Sequence, residues 1–213
     1  MADPPRPDGR VTDADDGTVT NVSPVELRQS DVVLDPLFRV GEVVAGRYEV
    51  EQFLARGGMG EVYRVRDREL GEVVALKTIL PKNEDQTTAM ERFKREIQVA
   101  RQVSHRNVCR IFDMGRHVRS DRDDVVFLTM ELLDGVSLRA RLRDGVLAPE
   151  EALNVVGQLA DGLAAAHRKG IVHRDLKPSN IFLVPEGDAT RVVITDFGLA
   201  RPQISDASHL TVT

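Results

Sequence analysis

Asp175, Lys177, Asn180 and Asp196 are the residues of this chain best suited to chemistry. They sit in His173-Arg174-Asp175-Leu176-Lys177-Pro178-Ser179-Asn180 and in Asp196-Phe197-Gly198, which opens sixteen residues after Asn180. A carboxylate that accepts a proton, an ammonium facing phosphate charge, and two oxygen ligands for a hard cation are the groups needed to move a γ-phosphoryl group from ATP to a hydroxyl. Asp175 is the expected base. Lys177 is expected to neutralise charge on the γ-phosphate, and Asn180 and Asp196 to ligate Mg²⁺. Pro178 restricts Lys177 to extended backbone and stiffens the loop.

A second segment offers phosphate contacts. In Leu54-Ala55-Arg56-Gly57-Gly58-Met59-Gly60-Glu61-Val62 the glycines let bare backbone N–H groups approach a triphosphate. A glycine-rich hairpin can also be a plain turn, so this loop by itself leaves both readings open. Ala55 stands where such a loop has its first glycine; a positive φ there costs about 1–2 kcal/mol. Lys77 ends the apolar run Val74-Ala75-Leu76 and needs an anionic partner, for which Glu96 is the candidate. Their contact is worth about 1 kcal/mol in water and ~4 kcal/mol at an intermediate dielectric. Glu96 is then expected to orient Lys77 toward the α- and β-phosphates.

These groups must be positioned by regular elements. Tyr48 to Leu54, Val62 to Val65 and Val73 to Lys77 read as strands, the first two joined in a hairpin by Gly57-Gly58-Met59-Gly60. Met90, Phe93, Ile97 and Ala100 form one helical stripe. Val108 to Met114 and Val125 to Met130 add two strands joined by a charged turn, which predicts a five-stranded antiparallel sheet with one helix, a small α+β lobe. Beyond Asp134-Gly135 the chain turns helical. Pro149 starts a long helix, with Ala152, Val156, Leu159, Leu163 and Ala166 as its core stripe and Gly170 as its stop. Ile181 to Val184 and Val192 to Thr195 are short strands beside the loops described first.

Composition excludes several classes. Of the 213 residues, 30% are charged and 41% hydrophobic, as in a soluble globular protein. Up to Gly46 there are nine acids against four arginines; beyond it acids and bases balance, which argues against nucleic acid as a partner. Residues 1–46 are proline-rich and acidic, and are expected to form a disordered leader, with a short apolar patch including Leu37 and Phe38 docking locally. The single cysteine, Cys109, rules out an internal disulfide framework and reads as a small buried residue. No apolar run approaches a transmembrane span and no signal-peptide core is present, so a cytoplasmic location is the default expectation. The remaining histidines lack ligand spacing, and His173 reads as packing against Phe197.

The motifs His173-Arg174-Asp175, Leu176-Lys177-Pro178-Ser179-Asn180, Asp196-Phe197-Gly198 and Gly57-Gly58-Met59-Gly60-Glu61-Val62-Tyr63 resemble those of protein kinase catalytic domains, of the eukaryotic-like (Hanks-type) serine/threonine kind found in bacteria. The resemblance covers Tyr48 to Thr213. It implies a two-lobe α+β fold, with residues 47–133 as N-lobe and hinge and 134–213 as an incomplete, mainly helical C-lobe. It implies ATP and Mg²⁺ as cofactors and protein Ser/Thr hydroxyls as acceptors. By the same resemblance Met130 is the gatekeeper, Glu131 to Leu133 the hinge that meets adenine, and Val62, Ala75 and Phe182 the residues that sandwich the ring. Arg174 implies pairing with a phosphorylated residue of the activation loop, Thr211 or Thr213 being the expected autophosphorylation site. The chain stops within that loop, so it is expected to be a fragment with little phosphotransfer of its own and a partly uncovered helix face at 150–169. A homodimer of a longer parent protein is left open. Two rival readings are a nucleotide-binding pseudokinase and an aminoglycoside-type small-molecule phosphotransferase. Leu176-Lys177-Pro178 argues against the second, whose loop resembles His-Gly-Asp. A Rossmann dinucleotide site fails because the glycines join two strands and open no helix.

Overall fold

Two antiparallel sheets carry the motif-bearing loops. The computed structural model describes residues 35–58, 60–79, 94–95, 97–119 and 124–197. Strands β1 (Val43–Val44), β2 (Tyr48–Gly57), β3 (Gly60–Asp67), β4 (Val73–Ile79), β5 (Ile111–His117) and β6 (Val125–Met130) form one sheet in the order β1-β2-β3-β4-β6-β5. Strands β7 (Val136–Ser137), β8 (Ile181–Glu186) and β9 (Ala189–Ile194) form the other. Helices α1 (Leu138–Arg141) and α2 (Pro149–His167) and a 3₁₀ turn at Pro178–Asn180 complete the described elements, with 97–100 also helical. Of the expected helix stripe, Met90 and Phe93 lie outside the described residues; Ile97 and Ala100 are buried.

The larger sheet has six strands rather than the expected five, because the chain ahead of Tyr48 contributes β1. Strand alternation puts Tyr63 opposite Leu76 and Val65 opposite Val74, so one face of the sheet is apolar. Phe38 and Val44 cover that face, 1% and 0% exposed. The Gly41 N–H donates to the Val50 carbonyl at 2.8 Å, and the Val50 N–H donates to the Glu42 carbonyl at 2.9 Å. The disordered segment expected through residue 46 therefore ends too late. From Pro36 the chain is packed, since two large apolar anchors and a strand pairing offset its ordering entropy.

The fifth strand begins at Ile111, not at Val108. Residues 107–109 pair elsewhere: Val108 bridges Ile194 in parallel, the Cys109 N–H donates to the Ile194 carbonyl, and the Ile194 N–H donates to the Asn107 carbonyl, both at 2.9 Å. Cys109 is buried, and burial pushes its thiol up, away from nucleophilic chemistry.

Helix α2 starts at Pro149 as expected, with Glu150 and Glu151 in the first turn where the helix dipole favours them. Its end is a Schellman motif: the Gly170 N–H donates to the His167 carbonyl and the Ile171 N–H to the Ala166 carbonyl, with Gly170 at φ 73°. The expected core stripe is partly wrong. Leu159, Leu163 and Ala166 pack in the core, but Val156 is 61% exposed and Val155 is buried in its place. The buried face is set by small residues that let the helix approach closely. A Cβ on Gly162 would lie 2.9 Å from the Asn107 carbonyl oxygen and 3.0 Å from Ile194. Leu153, like Val156, is exposed. No described helix is long and apolar enough to cross a membrane.

Candidate active site

Lys77 lies on β4, whose central place in the sheet buries it: only 6% of the residue is exposed. Across the strands it stands opposite Val62 on β3 and Leu128 on β6. Two residues along the same face, Ala75 stands opposite Met130. Val62 and Ala75, two of the residues expected to sandwich the ring, and Met130, the expected gatekeeper, thus share a face with the lysine. The Lys77 ammonium donates to Asp196 Oδ1 at 2.5 Å, across a chain separation of 119 residues. Glu96, the expected partner of Lys77, lies outside the described residues.

The loop holding Asp175 is fixed by its own polar groups. His173 is 2% exposed, and its ring packs on Phe197 with centroids 4.7 Å apart, as expected. The His173 Nδ1 accepts the Asp175 N–H at 3.2 Å, which leaves the proton on Nε2, 2.8 Å from the Thr195 carbonyl. Asn180 donates from Nδ2 to the Asp175 carbonyl at 2.9 Å and to its Oδ2 at 3.2 Å. Lys177 Nζ sits 2.7 Å from Asp175 Oδ2. This ammonium holds the Asp175 carboxyl below the usual aspartate range, with Asn180 adding to the effect against the opposing cost of burial. In an NMR titration Asp175 is expected to ionise below the ordinary aspartate value and to move back toward it in Lys177→Met, which removes the largest cause. An unmoved titration in that variant would dismiss the pairing.

The sixteen-residue spacing between Asn180 and Asp196 is a hairpin. Ile181 pairs with Ile194 in the β8–β9 register, bringing the hairpin's two ends together. Beyond that pair the Thr195 N–H donates to the Asn180 carbonyl at 2.8 Å and the Thr195 hydroxyl donates to it at 3.2 Å. Asn180 and Asp196 thus offer amide and carboxylate oxygens from adjoining backbone, a donor set that suits Mg²⁺ retaining several waters. Asp196 and Arg174 both hold left-handed backbone, at φ 64° and 65°. Gly198, Thr211 and Thr213 lie outside the described residues.

Within the glycine-rich hairpin, Met59 lies outside the described residues. Ala55 belongs to β2, pairs with Val62 and has no positive φ, so the strain considered for it is absent. The position that demands glycine is Gly60, at φ 144°, where a Cβ would lie 1.9 Å from the Thr78 carbonyl oxygen. Leu54, Arg56, Gly57 and Gly58 are exposed. Glu61 departs from expectation. By strand alternation its side chain takes the face opposite Val62, and its buried carboxylate accepts from the Leu37 N–H at 2.8 Å and from Arg56. It is not a side chain that meets a nucleotide on the Lys77 face.

Glu131 also turns away from that face: its carboxylate pairs with Arg191, and its N–H donates to the Arg110 carbonyl at 2.9 Å. Leu133 lies between β6 and β7, and Phe182 on β8 faces Ser137 and Val193 across the strands. Sequence reasoning missed Asn107 and Thr195. Asn107 is 2% exposed and donates to the Gln158 side chain and to the Val192 carbonyl, both at 2.7 Å, tying α2 to β9. Asn107 follows the polar stretch Ser104-His105-Arg106, so its neighbours in sequence carried no signal of it.

A model of the protein kinase domain matches residues 48–213. The chain belongs to the protein kinase family. It is 42% identical over 166 residues to the serine/threonine-protein kinase pkn2 of Myxococcus xanthus, a match covering 78% of this chain and 19% of that protein. It is 36% identical over 176 residues to the serine/threonine-protein kinase PknA of Mycobacterium tuberculosis, covering 82% and 40%. The crystal structure of the Mycobacterium tuberculosis PknI kinase domain is similar with a TM-score of 0.66 at 31% identity, covering 77% of this chain and 64% of that one. The kinase chain thus spans about a fifth to two fifths of the length of these curated relatives. Those relatives support the bacterial serine/threonine resemblance and do not favour the small-molecule phosphotransferase or pseudokinase readings.

Proposed function

We propose that this chain carries the catalytic machinery of a bacterial serine/threonine protein kinase, which moves the γ-phosphoryl group of ATP to Ser or Thr hydroxyls of proteins, with a lobe boundary near residue 133. The observation that carries the reading is the 2.5 Å contact between Lys77 and Asp196, which joins a β4 lysine to the loop after β9. Lys77, held on a face with Val62 and Ala75, positions the α- and β-phosphates, with Glu96 as its proposed second partner. Asn180 and Asp196 are the oxygen donors that would hold Mg²⁺, whose charge offsets that of the phosphates. Met130, Glu131 and Leu133 line the adenine edge, where the hinge from Glu131 to Leu133 meets the ring through backbone groups other than the Glu131 N–H, which Arg110 holds.

Asp175 takes the proton of the attacking hydroxyl. Its pairing with Lys177 makes it a weak base, and that pairing is exchangeable. When Lys177 turns to the γ-phosphate, the carboxylate loses the cation that depressed its pKa and gains basicity as transfer begins. The test is incubation with labelled ATP and Mg²⁺ in the presence of a Ser/Thr peptide. Low but measurable labelling of protein or peptide is expected, in keeping with the little phosphotransfer expected of this chain, dependent on Mg²⁺ and lost in Lys77→Ala. Binding of Mg²⁺·ATP that is equal in the wild type and Lys77→Ala would reject the reading.

A further inference from the structure

The base of the glycine-rich hairpin is tied to a segment of chain that precedes the sheet, through one buried carboxylate. Arg56 and Glu61 face each other across β2 and β3 and bracket the loop tip. Glu61 is 5% exposed. Its Oε1 takes Arg56, at 2.8 Å from Nε and 2.5 Å from a terminal nitrogen, while its Oε2 takes the Leu37 N–H at 2.8 Å and the Tyr63 hydroxyl. The carboxylate thus has two sides, one oxygen for the loop and one for the segment at 37.

That segment is anchored in its own right. The Phe38 N–H donates to the Tyr63 hydroxyl at 3.1 Å, and its ring packs 5.6 Å from Tyr63. The Leu37 carbonyl accepts from Arg119 at 3.2 Å, and the Ala45 N–H donates to His117 Nδ1 at 2.8 Å. On its other side the hairpin base rests on β4 beside Lys77: the Glu61 N–H donates to the Thr78 hydroxyl at 2.9 Å. Burying a carboxylate is costly unless donors surround it, so loss of the Leu37 side unsettles the Arg56 side as well.

We propose that Glu61 is a positioning residue that fixes the glycine-rich hairpin to a strap at residues 37–44, so that the geometry of the phosphate loop depends on the chain ahead of β2. The hydrogen bonds together hold the Glu61 carboxyl below the ordinary range against the opposing effect of burial, as a fully partnered carboxylate requires. The consequence for nucleotide affinity rests on the function proposed above. The mechanical link does not.

The experiment is hydrogen exchange on the nucleotide-free chain, peptide by peptide, in Glu61→Gln and Glu61→Ala. Glu61→Gln keeps an oxygen for Leu37 and Tyr63 and loses the Arg56 ion pair. Exchange across 55–60 is expected to rise about tenfold while 37–44 stays protected. Glu61→Ala is expected to accelerate both segments. Glu51→Gln, which breaks only partly exposed pairs with Arg64 and Arg66 on the same hairpin, is expected to change neither. Unchanged exchange at 55–60 in Glu61→Gln overturns the proposal, and this variant decides the matter where Glu61→Ala fails to fold. Titration with a fluorescent ATP analogue and Mg²⁺ is run alongside, with affinity expected to weaken about fivefold in Glu61→Gln. A wild type that binds no nucleotide would refute the kinase reading while the exchange data still judge the strap.

Discussion

Exchanging Asp175 for asparagine is expected to slow phosphoryl transfer about 10²–10⁴-fold, with nucleotide affinity within about twofold of the wild type. Asparagine keeps the shape of aspartate and an oxygen that can accept from the Asn180 side chain, now 3.2 Å from Asp175 Oδ2. What it loses is basicity toward the attacking hydroxyl and the charge that pairs with Lys177. Because Lys77 and Asp196 are untouched, binding should survive where transfer does not. Single-turnover transfer from labelled ATP to a peptide, beside a separate binding titration, reads the two quantities independently. Equal transfer rates would remove Asp175 as the base, and a collapse of affinity would make its role structural.

Replacing Phe38 by alanine is expected to destabilise the fold by about 3–5 kcal/mol, the usual range for emptying a buried phenylalanine site. The ring is 1% exposed, lies 5.4 Å from the His117 ring and 5.7 Å from the Arg119 guanidinium, and closes the apolar face of the larger sheet. Val40, two residues on, is 71% exposed, and its replacement by alanine should cost no more than about 0.5 kcal/mol. Urea unfolding of the two variants provides the comparison. A Phe38→Ala midpoint equal to that of Val40→Ala would mean that the segment before β1 contributes nothing.

How far the sequence revealed this molecule depended on the range of the interactions involved. Local signals were readable. The strands read over 48–54, 62–65 and 73–77 correspond to β2, β3 and β4, Pro149 and Gly170 marked the ends of α2, and the two short strands at 181–184 and 192–195 correspond to β8 and β9. Interactions over long separations were not. The packing of Phe38 on Tyr63 joins a compositionally acidic, proline-rich segment to a strand, and no window of sequence contains both partners. The segment Leu54 to Val62 reads as one phosphate-contacting loop, yet strand parity sends the Glu61 side chain to the face away from Lys77. In α2 the choice between Val155 and Val156 is made by Gly162 and the Asn107 carbonyl it meets, a close approach that hydrophobic periodicity does not record. The start of β5 moved to Ile111 because Asn107 and Cys109 were already committed to Ile194.

Arg174 and Asp196 occupy backbone that suits glycine, at an expense of about 1–2 kcal/mol for a residue bearing a Cβ, less for aspartate than for arginine. At 196 the relief of that strain is outweighed by what glycine would delete: without the carboxylate, the buried Lys77 ammonium loses its partner at a cost of about 3–5 kcal/mol. The ion pair thus keeps a side chain where the backbone alone would choose glycine.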